Sequence, residues 1–283
     1  MHNLLDILSH SKSYLKKHSV SDYVRSSEEI ICKVLKCTRS DLFLYPKKKI
    51  SIEQKIEIEK LLDKRAIEKM PLAYLLGFVS FIGCKIKLTK DVLIPRMETE
   101  ELVEKMIKIL EKEDLKNKVL WDIATGSGCI GIALKKYFPM LKIVISDISE
   151  KGLRVAEENA KANHVDVEIR KGNLFEPFVK QKADFIVSNP PYIAKREIDS
   201  LQREVKDHEP ILALDGGESG VEFYKRFFQD LEKFLHPKGK VFFEIGSAQK
   251  EPLKEIFSKK LFFKMSFFKD LAKRDRFFLL EFE

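Results

Sequence analysis

The tetrapeptide Asn-Pro-Pro-Tyr, residues 189–192, carries the side chains whose chemistry is most specific in this chain. Asn189 offers a side-chain carbonyl oxygen, and Pro190 offers a backbone carbonyl whose own residue has no N–H to pair in a sheet. Two such acceptors can hold a planar NH2 group, and the Tyr192 ring can lie against a flat π-system. The nitrogen of a carboxamide or an adenine amino group is a poor nucleophile because its lone pair is delocalised. Accepting its two hydrogens favours the reactive pyramidal form, so the motif indicates chemistry at such a nitrogen. In isolation, Asn-Pro-Pro could also be an ordinary turn.

A glycine-rich segment, residues 124–131, follows an apolar stretch and predicts a cofactor loop. Gly126, Gly128 and Gly131 match G-x-G-x-x-G, and Asp147 lies 21 residues after Gly126. Glycines let a loop turn tightly and let a ligand approach the backbone, and an acid at this spacing accepts hydrogen bonds from ribose hydroxyls. Any adenosyl cofactor can use these features. The loop alone would also suit an ordinary strand-to-helix turn.

Asp122 favours S-adenosylmethionine over a dinucleotide. It stands four residues before Gly126, where its carboxylate could hold the positively charged amino acid end of S-adenosylmethionine but would repel a pyrophosphate. A sulfonium methyl group is already activated, so positioning a nitrogen in line with it supplies much of the catalysis, up to about 7–11 kcal/mol. The sequence therefore predicts methyl transfer to an amide or adenine nitrogen without a His or Cys nucleophile.

The elements that must position these residues alternate between strands and helices in the C-terminal two thirds of the chain. Apolar strands are predicted at 118–124, 142–148, 167–172, 183–188 and 240–246. This alternation is typical of a doubly wound parallel sheet, in which ligands bind beyond the carboxyl ends of strands where the strand order reverses. If strand 118–124 neighbours strand 183–188, Asn189 faces the glycine loop. A helix near 249–258 and two β-rich pieces, 261–268 and 276–283, follow, and their short link favours an antiparallel pair.

The first third of the chain reads as helices and then as a hairpin. Apolar residues recur at helical spacing in 3–17, 27–35 and 50–67, and Ser51 with Gln54 forms a capping-box pattern. Residues 78–89 and 91–94 are β-like, with Gly83 as the hairpin turn. We predict a helical domain at 1–75, a β-hairpin connector at 76–95 and a catalytic domain at 96–283.

Composition limits the classes of protein to which this chain can belong. Its four cysteines lack C-x-x-C spacing and no His pair has metal-ligand spacing, so no metal is expected. The sequence shows no membrane span and no signal leader, which predicts a cytoplasmic protein. Residues 1–90 contain 18 Lys and Arg against 10 Asp and Glu, whereas the remainder contains 34 of each. The basic first third could be a solvated surface, or it could dock on an acidic protein or on RNA.

Taken together, these motifs resemble the HemK/PrmC family of protein glutamine methyltransferases, which act on the Gly-Gly-Gln motif of the release factors of translation termination. The matching segments are DIATGSGCIG, Asp147, GNLFEPF, SNPPYI, PLAYLLGFVSFIG, VLIPRMETE, EVKDHEPILALDGGESGVEFY, EIGSAQ and DLAKRDR. The resemblance implies a seven-stranded, Rossmann-like (class I) S-adenosylmethionine-dependent sheet, mostly parallel with one antiparallel strand. It also implies that the helical domain helps to dock a release factor. The implied cofactor contacts are Asp122, Ala124, Thr125, Gly126, Ser127, Gly128, Asp147, Asn173, Leu174 and Asn189, and Asn189, Pro190, Pro191 and Tyr192 would hold the glutamine amide, with Asn189, Pro190 and Tyr192 catalytic.

Four positions depart from the family pattern. Ala124 and Lys273 stand where the family commonly has glycine, Met97 where proline is common and Asn173 where aspartate is common. Alanine costs little at 124 if its φ is negative, and Asn173 can still bond the adenine edge without a charge.

Three alternatives stay open at this stage. A ribosomal protein glutamine could be the substrate, adenine in a nucleic acid could be the substrate, or the chain could bind the cofactor without catalysis. Base flipping needs a sizeable basic surface, and the neutral catalytic part does not provide one, so no nucleic-acid substrate is expected. The intact Asn189–Tyr192 motif argues against a non-catalytic module.

Overall fold

The computed structural model describes residues 2–258 and 263–282. The chain divides into two compact units, one formed by Met1–Phe78 with Gln202–His208 and the other by Val79–Leu201 with Glu209–Glu283. Among the described helices, none combines the length and the apolar content needed to cross a membrane.

Helices make up most of the first unit. Its elements are β1 (His2–Asn3), α1 (Leu4–Lys17), α2 (Tyr23–Leu35), α3 (Arg39–Leu44), β2 (Lys49–Ile50), α4 (Ile52–Ala66) and α5 (Leu72–Leu76). The predicted capping box is confirmed: the Ser51 hydroxyl accepts from the Gln54 N–H at 3.2 Å, and Gln54 Oε1 accepts from the Ser51 N–H at 3.0 Å. This pairing satisfies N–H groups that the first turn of α4 leaves without partners.

Arg65 ties the segment Gln202–His208 into the helical unit. Its side chain is 3% exposed and donates to Asp22 at 2.7 Å, to the Ser26 hydroxyl at 3.1 Å and to Glu204 at 2.8 Å. The His208 ring also donates from Nε2 to the Glu68 carbonyl at 2.6 Å. Because a buried guanidinium is stable only when it is paired, these carboxylates fix where the segment lies within this unit.

The second unit is built around the predicted sheet. Its elements begin with β3 (Phe78–Phe81), β4 (Cys84–Lys87), α6 (Met97–Leu110), β5 (Val119–Ile123), α7 (Cys129–Tyr137), β6 (Lys142–Asp147), α8 (Glu150–Ala162), β7 (Glu168–Lys171) and β8 (Ala183–Ser188). After β8 the chain continues with α9 (Lys195–Ile198), then α10 (Arg203–Lys206), which belongs to the helical unit. The remaining elements of the second unit are α11 (Glu222–Phe234), β9 (Leu235–Glu244), α12 (Lys250–Phe257), β10 (Phe263–Lys269) and β11 (Asp275–Phe282).

The seven strands lie in the order β10-β11-β9-β8-β5-β6-β7. Strands β5 to β9 pair in parallel, and β11 alone is antiparallel, to β9 on one side and to β10 on the other. The predicted fold and the antiparallel pair at the end of the chain are thereby confirmed. Residues 261, 262 and 283 of the predicted β-rich pieces lie outside the described residues.

The expected adjacency of the first and fourth strands is also confirmed. Strand β5 pairs with β8 and with β6, so the strand order reverses at β5. The Ser188 hydroxyl donates to the Ile123 carbonyl at 2.6 Å and locks the carboxyl ends of β8 and β5 together. The loops that follow these two strands therefore leave the sheet at the same edge.

One predicted β-piece is wrong. The hairpin β3–β4 forms, with Ile82 at φ 42° and Gly83 at φ 69° in its turn, but residues 91–94 are not a strand. Val92 is 1% exposed, and the Ile94 N–H donates to the Glu209 carboxylate at 3.2 Å. The segment is apolar because it is buried, and a side chain takes the hydrogen bond that a neighbouring strand would have taken.

Candidate functional site

A cavity of about 530 Å³ opens beyond the carboxyl ends of β5, β6 and β8. Nine of the residues predicted from the sequence line it: Ala124, Thr125, Gly126, Ser127, Asp147, Asn173, Leu174, Asn189 and Pro191. Four predicted residues, Asp122, Gly128, Pro190 and Tyr192, do not line it. The glycine loop and the Asn-Pro-Pro-Tyr segment thus share one cavity, but the latter contributes only Asn189 and Pro191 to its wall.

Left-handed backbone shapes the glycine loop. Ala124, Gly126 and Gly128 have φ of 60°, 55° and 81°, and α7 begins directly after Gly128. A Cβ added at Gly126 would meet no atom within 4 Å, so the backbone there is open to a ligand. A Cβ added at Gly131 would lie 2.5 Å from Ile145 Cγ2, so this glycine lets α7 pack closely on β6.

The condition under which alanine would cost little at position 124, a negative φ, is not met. The Ala124 φ of 60° lies in the region where an L-residue with a Cβ is strained by roughly 1–2 kcal/mol. Lys273, in the turn between β10 and β11, has φ of 62°. Both positions at which this chain departs from a family glycine therefore require backbone that glycine adopts freely.

Asp122 lies under the glycine loop and is completely buried. Its Oδ2 accepts from the Thr125 hydroxyl at 2.5 Å and from the Gly131 N–H at 2.9 Å. Burial, with a smaller contribution from the charge of Asp147, raises the pKa of Asp122 to about 6 despite the opposing effect of the two hydrogen bonds. Its Oδ1 has no hydrogen-bond partner among the described residues. A cation above the loop would stabilise the ionised form of this carboxyl.

Asp147 stands at the end of β6 in the cavity wall. Its Oδ2 accepts from the Gly126 N–H and its Oδ1 from the Ser149 N–H, both at 2.8 Å. Burial raises the pKa of its carboxyl. Each carboxylate oxygen can accept a second hydrogen bond, so Asp147 can both hold the glycine loop and bond ligand hydroxyls.

Asn189 and Tyr192 are both linked by hydrogen bonds to the buried carboxylate of Glu244. Asn189 Nδ2 donates to the Thr99 hydroxyl at 3.1 Å, and that hydroxyl donates to Glu244 at 2.7 Å. The Tyr192 hydroxyl donates to the other Glu244 oxygen at 3.2 Å, while the Tyr192 ring packs against the aromatic core of the sheet. Burial, followed by the charge of Glu244, raises the pKa of Tyr192 well above its ordinary value.

The loop at 215–220 supports the backbone of Tyr192. A Cβ added at Gly220 would lie 2.6 Å from the Tyr192 carbonyl oxygen, and one at Gly216 would lie 2.8 Å from the Tyr192 Cα. Gln249 Nε2 donates to the carbonyls of Tyr192 and Gly220, both at 2.8 Å. The backbone of Tyr192 is therefore held in place by close packing of two glycines and by one buried amide.

Sequence reasoning assigned no role to Thr99, Glu244 or Gln249. All three stand in segments that match the family, VLIPRMETE and EIGSAQ, so the resemblance contained the signal. Spacing along the chain could not reveal their function, because Thr99 and Glu244 are 145 residues apart. Among the described residues there is no group of three or more His, Cys, Asp or Glu side chains that could hold a metal ion.

Comparison with known proteins relates this chain to methyltransferases. A family model described as "Methyltransferase small domain" matches residues 99–217, and one described as "PrmC N-terminal domain" matches residues 6–77. A protein of Chlamydia trachomatis serovar D named "Release factor glutamine methyltransferase" is 40% identical over 97% of this chain and 93% of its own length. A protein of Thermodesulfovibrio yellowstonii with the same name is 39% identical over 91% of this chain and 92% of its own length.

Among solved structures, a methyltransferase from Pyrococcus furiosus superposes with a TM-score of 0.52 at 20% identity. The match covers 79% of this chain and 96% of that chain. At this identity the likeness concerns the fold alone.

Proposed function

The chain belongs to the release factor glutamine methyltransferase family, and from this membership we propose its reaction and substrate. It transfers a methyl group from S-adenosylmethionine to the side-chain amide nitrogen of the glutamine in the Gly-Gly-Gln motif of peptide chain release factors. The observation that carries the proposal is that Asn189 and the glycine loop line one cavity at the carboxyl ends of neighbouring strands. Relatives that are 39–40% identical over more than nine tenths of the chain and carry this name support the choice of substrate.

The residues of the cavity suit an adenosyl cofactor with a cationic end. Asp147 would accept from the ribose hydroxyls, and Asn173 and Leu174 would flank the adenine. Gly126 leaves the backbone open to a ligand, and the unpartnered oxygen of Asp122 lies under the loop, where a positive charge would be stabilised. When bound, S-adenosylmethionine supplies a methyl group on a sulfonium, which is an activated electrophile.

The chain's own part in the chemistry is to hold and orient the amide. The Asn189 carbonyl oxygen, whose residue lines the cavity, and the adjacent Pro190 carbonyl, whose residue does not, would accept the two hydrogens of the glutamine NH2. This would reduce delocalisation of the nitrogen lone pair and aim it at the donor. Tyr192 does not line the cavity, and the hydrogen bonds of its hydroxyl and its backbone would keep the Asn-Pro-Pro backbone in place beside the planar amide. The transfer leaves S-adenosylhomocysteine as the second product, and the methylated nitrogen returns to a neutral amide by releasing one proton to solvent.

The helical unit would dock the release factor. Phe43, Leu44 and Tyr45 are 57%, 69% and 58% exposed, and the adjacent Lys47–Lys49 are exposed as well. Contiguous apolar side chains rimmed by charge are typical of protein–protein contact sites. The basic excess of the first third adds long-range attraction for an acidic partner.

Labelling tests the proposed function against its alternatives. The protein is incubated with methyl-labelled S-adenosylmethionine and, separately, with a release factor, ribosomal proteins, DNA and RNA. Label is expected on the release factor, and it should disappear when the glutamine of Gly-Gly-Gln is replaced. Label on nucleic acid or on a ribosomal protein, with none on the release factor, would overturn the assignment.

A further inference from the structure

The side chain of Asn189 has two ends of nearly the same shape and opposite chemistry. A substrate NH2 group can be held only if the Asn189 carbonyl oxygen faces the cavity, since an Asn189 NH2 group in that place would oppose donor to donor. Rotation of the side-chain amide would exchange the two ends. A working site therefore needs something that fixes which end faces the cavity.

Thr99 lies where it can fix which end of the Asn189 amide faces the cavity. It stands in the first turn of α6, is 1% exposed, and its Oγ1 is 3.1 Å from Asn189 Nδ2. A hydroxyl has one hydrogen, and that of Thr99 is directed to Glu244 Oε2 at 2.7 Å. Toward Asn189 the Thr99 oxygen can then only accept. Only the NH2 end of Asn189 can face it, and the carbonyl end must point away.

Glu244 determines the direction of the Thr99 hydroxyl. It ends β9, which pairs with β8, the strand that Asn189 directly follows, and it is 1% exposed. When ionised, both of its oxygens can only accept, and they take the hydroxyl hydrogens of Thr99 and Tyr192. Burial, with a smaller contribution from the charge of Glu98, raises the pKa of Glu244 to about 7 despite the opposing effects of Thr99, Arg276 and Tyr192. The carboxylate form therefore predominates in mildly alkaline solution.

We propose that Thr99 and Glu244 are positioning residues that set the orientation of the Asn189 side-chain amide, so that its carbonyl oxygen meets the substrate nitrogen. This inference rests on the proposed function, because it concerns how that amide is held. One buried carboxylate orients both ends of Asn189–Tyr192, Asn189 through the Thr99 hydroxyl and Tyr192 directly. Thr99 lines the cavity beside Asn189, and the proposed role of Thr99 and Glu244 is exerted through the Asn189 side chain.

The direct test compares Thr99→Val, which keeps the shape and removes the hydroxyl, with Thr99→Ser, which restores it. At about pH 8.5, above the folded pKa of Glu244, Thr99→Val should lower kcat on a release factor about tenfold or more. Its KM for the release factor and its affinity for S-adenosylmethionine should stay within about twofold, and Thr99→Ser should recover kcat to within about threefold.

Tyr224→Phe is the matched control, because the Tyr224 hydroxyl is also buried and donates to Glu244, but to its backbone oxygen at 2.7 Å. An equal loss in Tyr224→Phe would mean that general loosening, not orientation, lowers the rate, and would overturn the proposal.

A double mutant separates action through Asn189 from an independent effect. In an Asn189→Ala background, measured by single-turnover labelling, Thr99→Val should change the rate by less than about twofold. A further tenfold loss there would contradict the proposal. Failure of the wild-type protein to label a release factor is a different result, since it would remove the proposed function and this inference with it.

A spectroscopic measurement on the wild-type protein does not depend on turnover or on the folding of a variant. The side-chain NH2 resonances of Asn189, assigned by their disappearance in Asn189→Ala, should exchange slowly with solvent because one N–H donates to Thr99. Exchange at the rate of an exposed amide would overturn the proposal.

Discussion

At the residue scale, the sequence predicted the chemical groups of the site, but it did not predict the backbone strain at Ala124. The residue types at 122, 126, 147 and 189 predicted a cofactor loop and an amide-binding motif, and three of these four residues line the cavity. The sign of φ at Ala124 could not be read from the sequence, because it depends on how the loop leaves β5. The Thr99–Glu244 pairing was equally hidden, since it joins distant segments.

Replacing Ala124 by glycine should stabilise the protein. Glycine removes the left-handed strain but loses more conformational entropy on folding, so the net gain in the free energy of unfolding should be about 0.5–1 kcal/mol. Trp121, the sole tryptophan, is buried in β5 three residues earlier and reports unfolding of this unit by fluorescence. Ala133→Gly, within α7, should instead destabilise by about 1 kcal/mol or more. A loss of stability in Ala124→Gly would show that the strain at this position is unimportant.

Glu244 should make stability depend on pH. Its folded pKa of about 7 lies above the unfolded value of 4.5, so between these values the unfolded chain has released a proton that the folded chain retains. Stability therefore falls as pH rises through this window, by about 3 kcal/mol in total. Glu244→Gln cannot ionise, so its stability relative to wild type should increase from about pH 5 to about pH 8. Denaturant unfolding at both pH values measures this change, and a constant difference would contradict the assigned pKa.

At the scale of elements, hydrophobic periodicity located most of the sheet because core strands are buried on both faces. The strands around the cavity were predicted to within a few residues of their observed ends, and the capping box placed the start of α4. The wrong prediction of a strand at 91–94 has a physical cause. A segment is apolar wherever it is buried, but it forms a strand only if a neighbouring strand pairs with it. Periodicity reports burial, not pairing.

The close contact of α7 with β6 should be sensitive to one methyl group. Gly131→Ala would bring a Cβ to 2.5 Å from Ile145 and 3.2 Å from the Asp122 carboxylate, so the helix or the strand must move. We expect a loss of about 1–3 kcal/mol of stability and weaker binding of S-adenosylmethionine, measured by denaturant unfolding and calorimetry.

Gly152→Ala is the matched control for this variant. Gly152 is also helical, but an added Cβ would approach no atom closer than 3.4 Å. The variant should keep wild-type stability or exceed it. Equal behaviour of the two variants would show that the packing distance at Gly131 is not the determining factor.

At the scale of the whole molecule, the excess of basic residues and the candidate site lie in different parts of the chain. The basic excess lies in the first third, and the cavity with its chemistry lies in the unit of the sheet. That Gln202–His208 belongs to the helical unit could not be foreseen, because the ion pair of Arg65 with Glu204 spans 139 residues of sequence. Local patterns do not encode such long-range partners.

Charge reversal should weaken docking of the release factor. Lys47→Glu combined with Lys48→Glu, beside the exposed apolar side chains of the helical unit, should raise the Kd for a release factor about tenfold at low salt and less at high salt. Lys180→Glu with Lys182→Glu, at positions that are also exposed but lie in the other unit, serves as the control and should change the Kd little. Binding can be followed by calorimetry, and equal effects of the two pairs would exclude a specific role of the helical unit.

The central claim is that Asn189 holds a glutamine amide beside a methyl donor, and mass spectrometry of a release factor treated with wild-type and Asn189→Ala protein tests it most directly. The wild-type protein should add one methyl group to the glutamine of Gly-Gly-Gln. The variant should bind S-adenosylmethionine within about tenfold of wild type, or roughly 1.4 kcal/mol, while its turnover collapses. An unmodified glutamine with the wild-type protein, or equal turnover in the variant, would contradict the account.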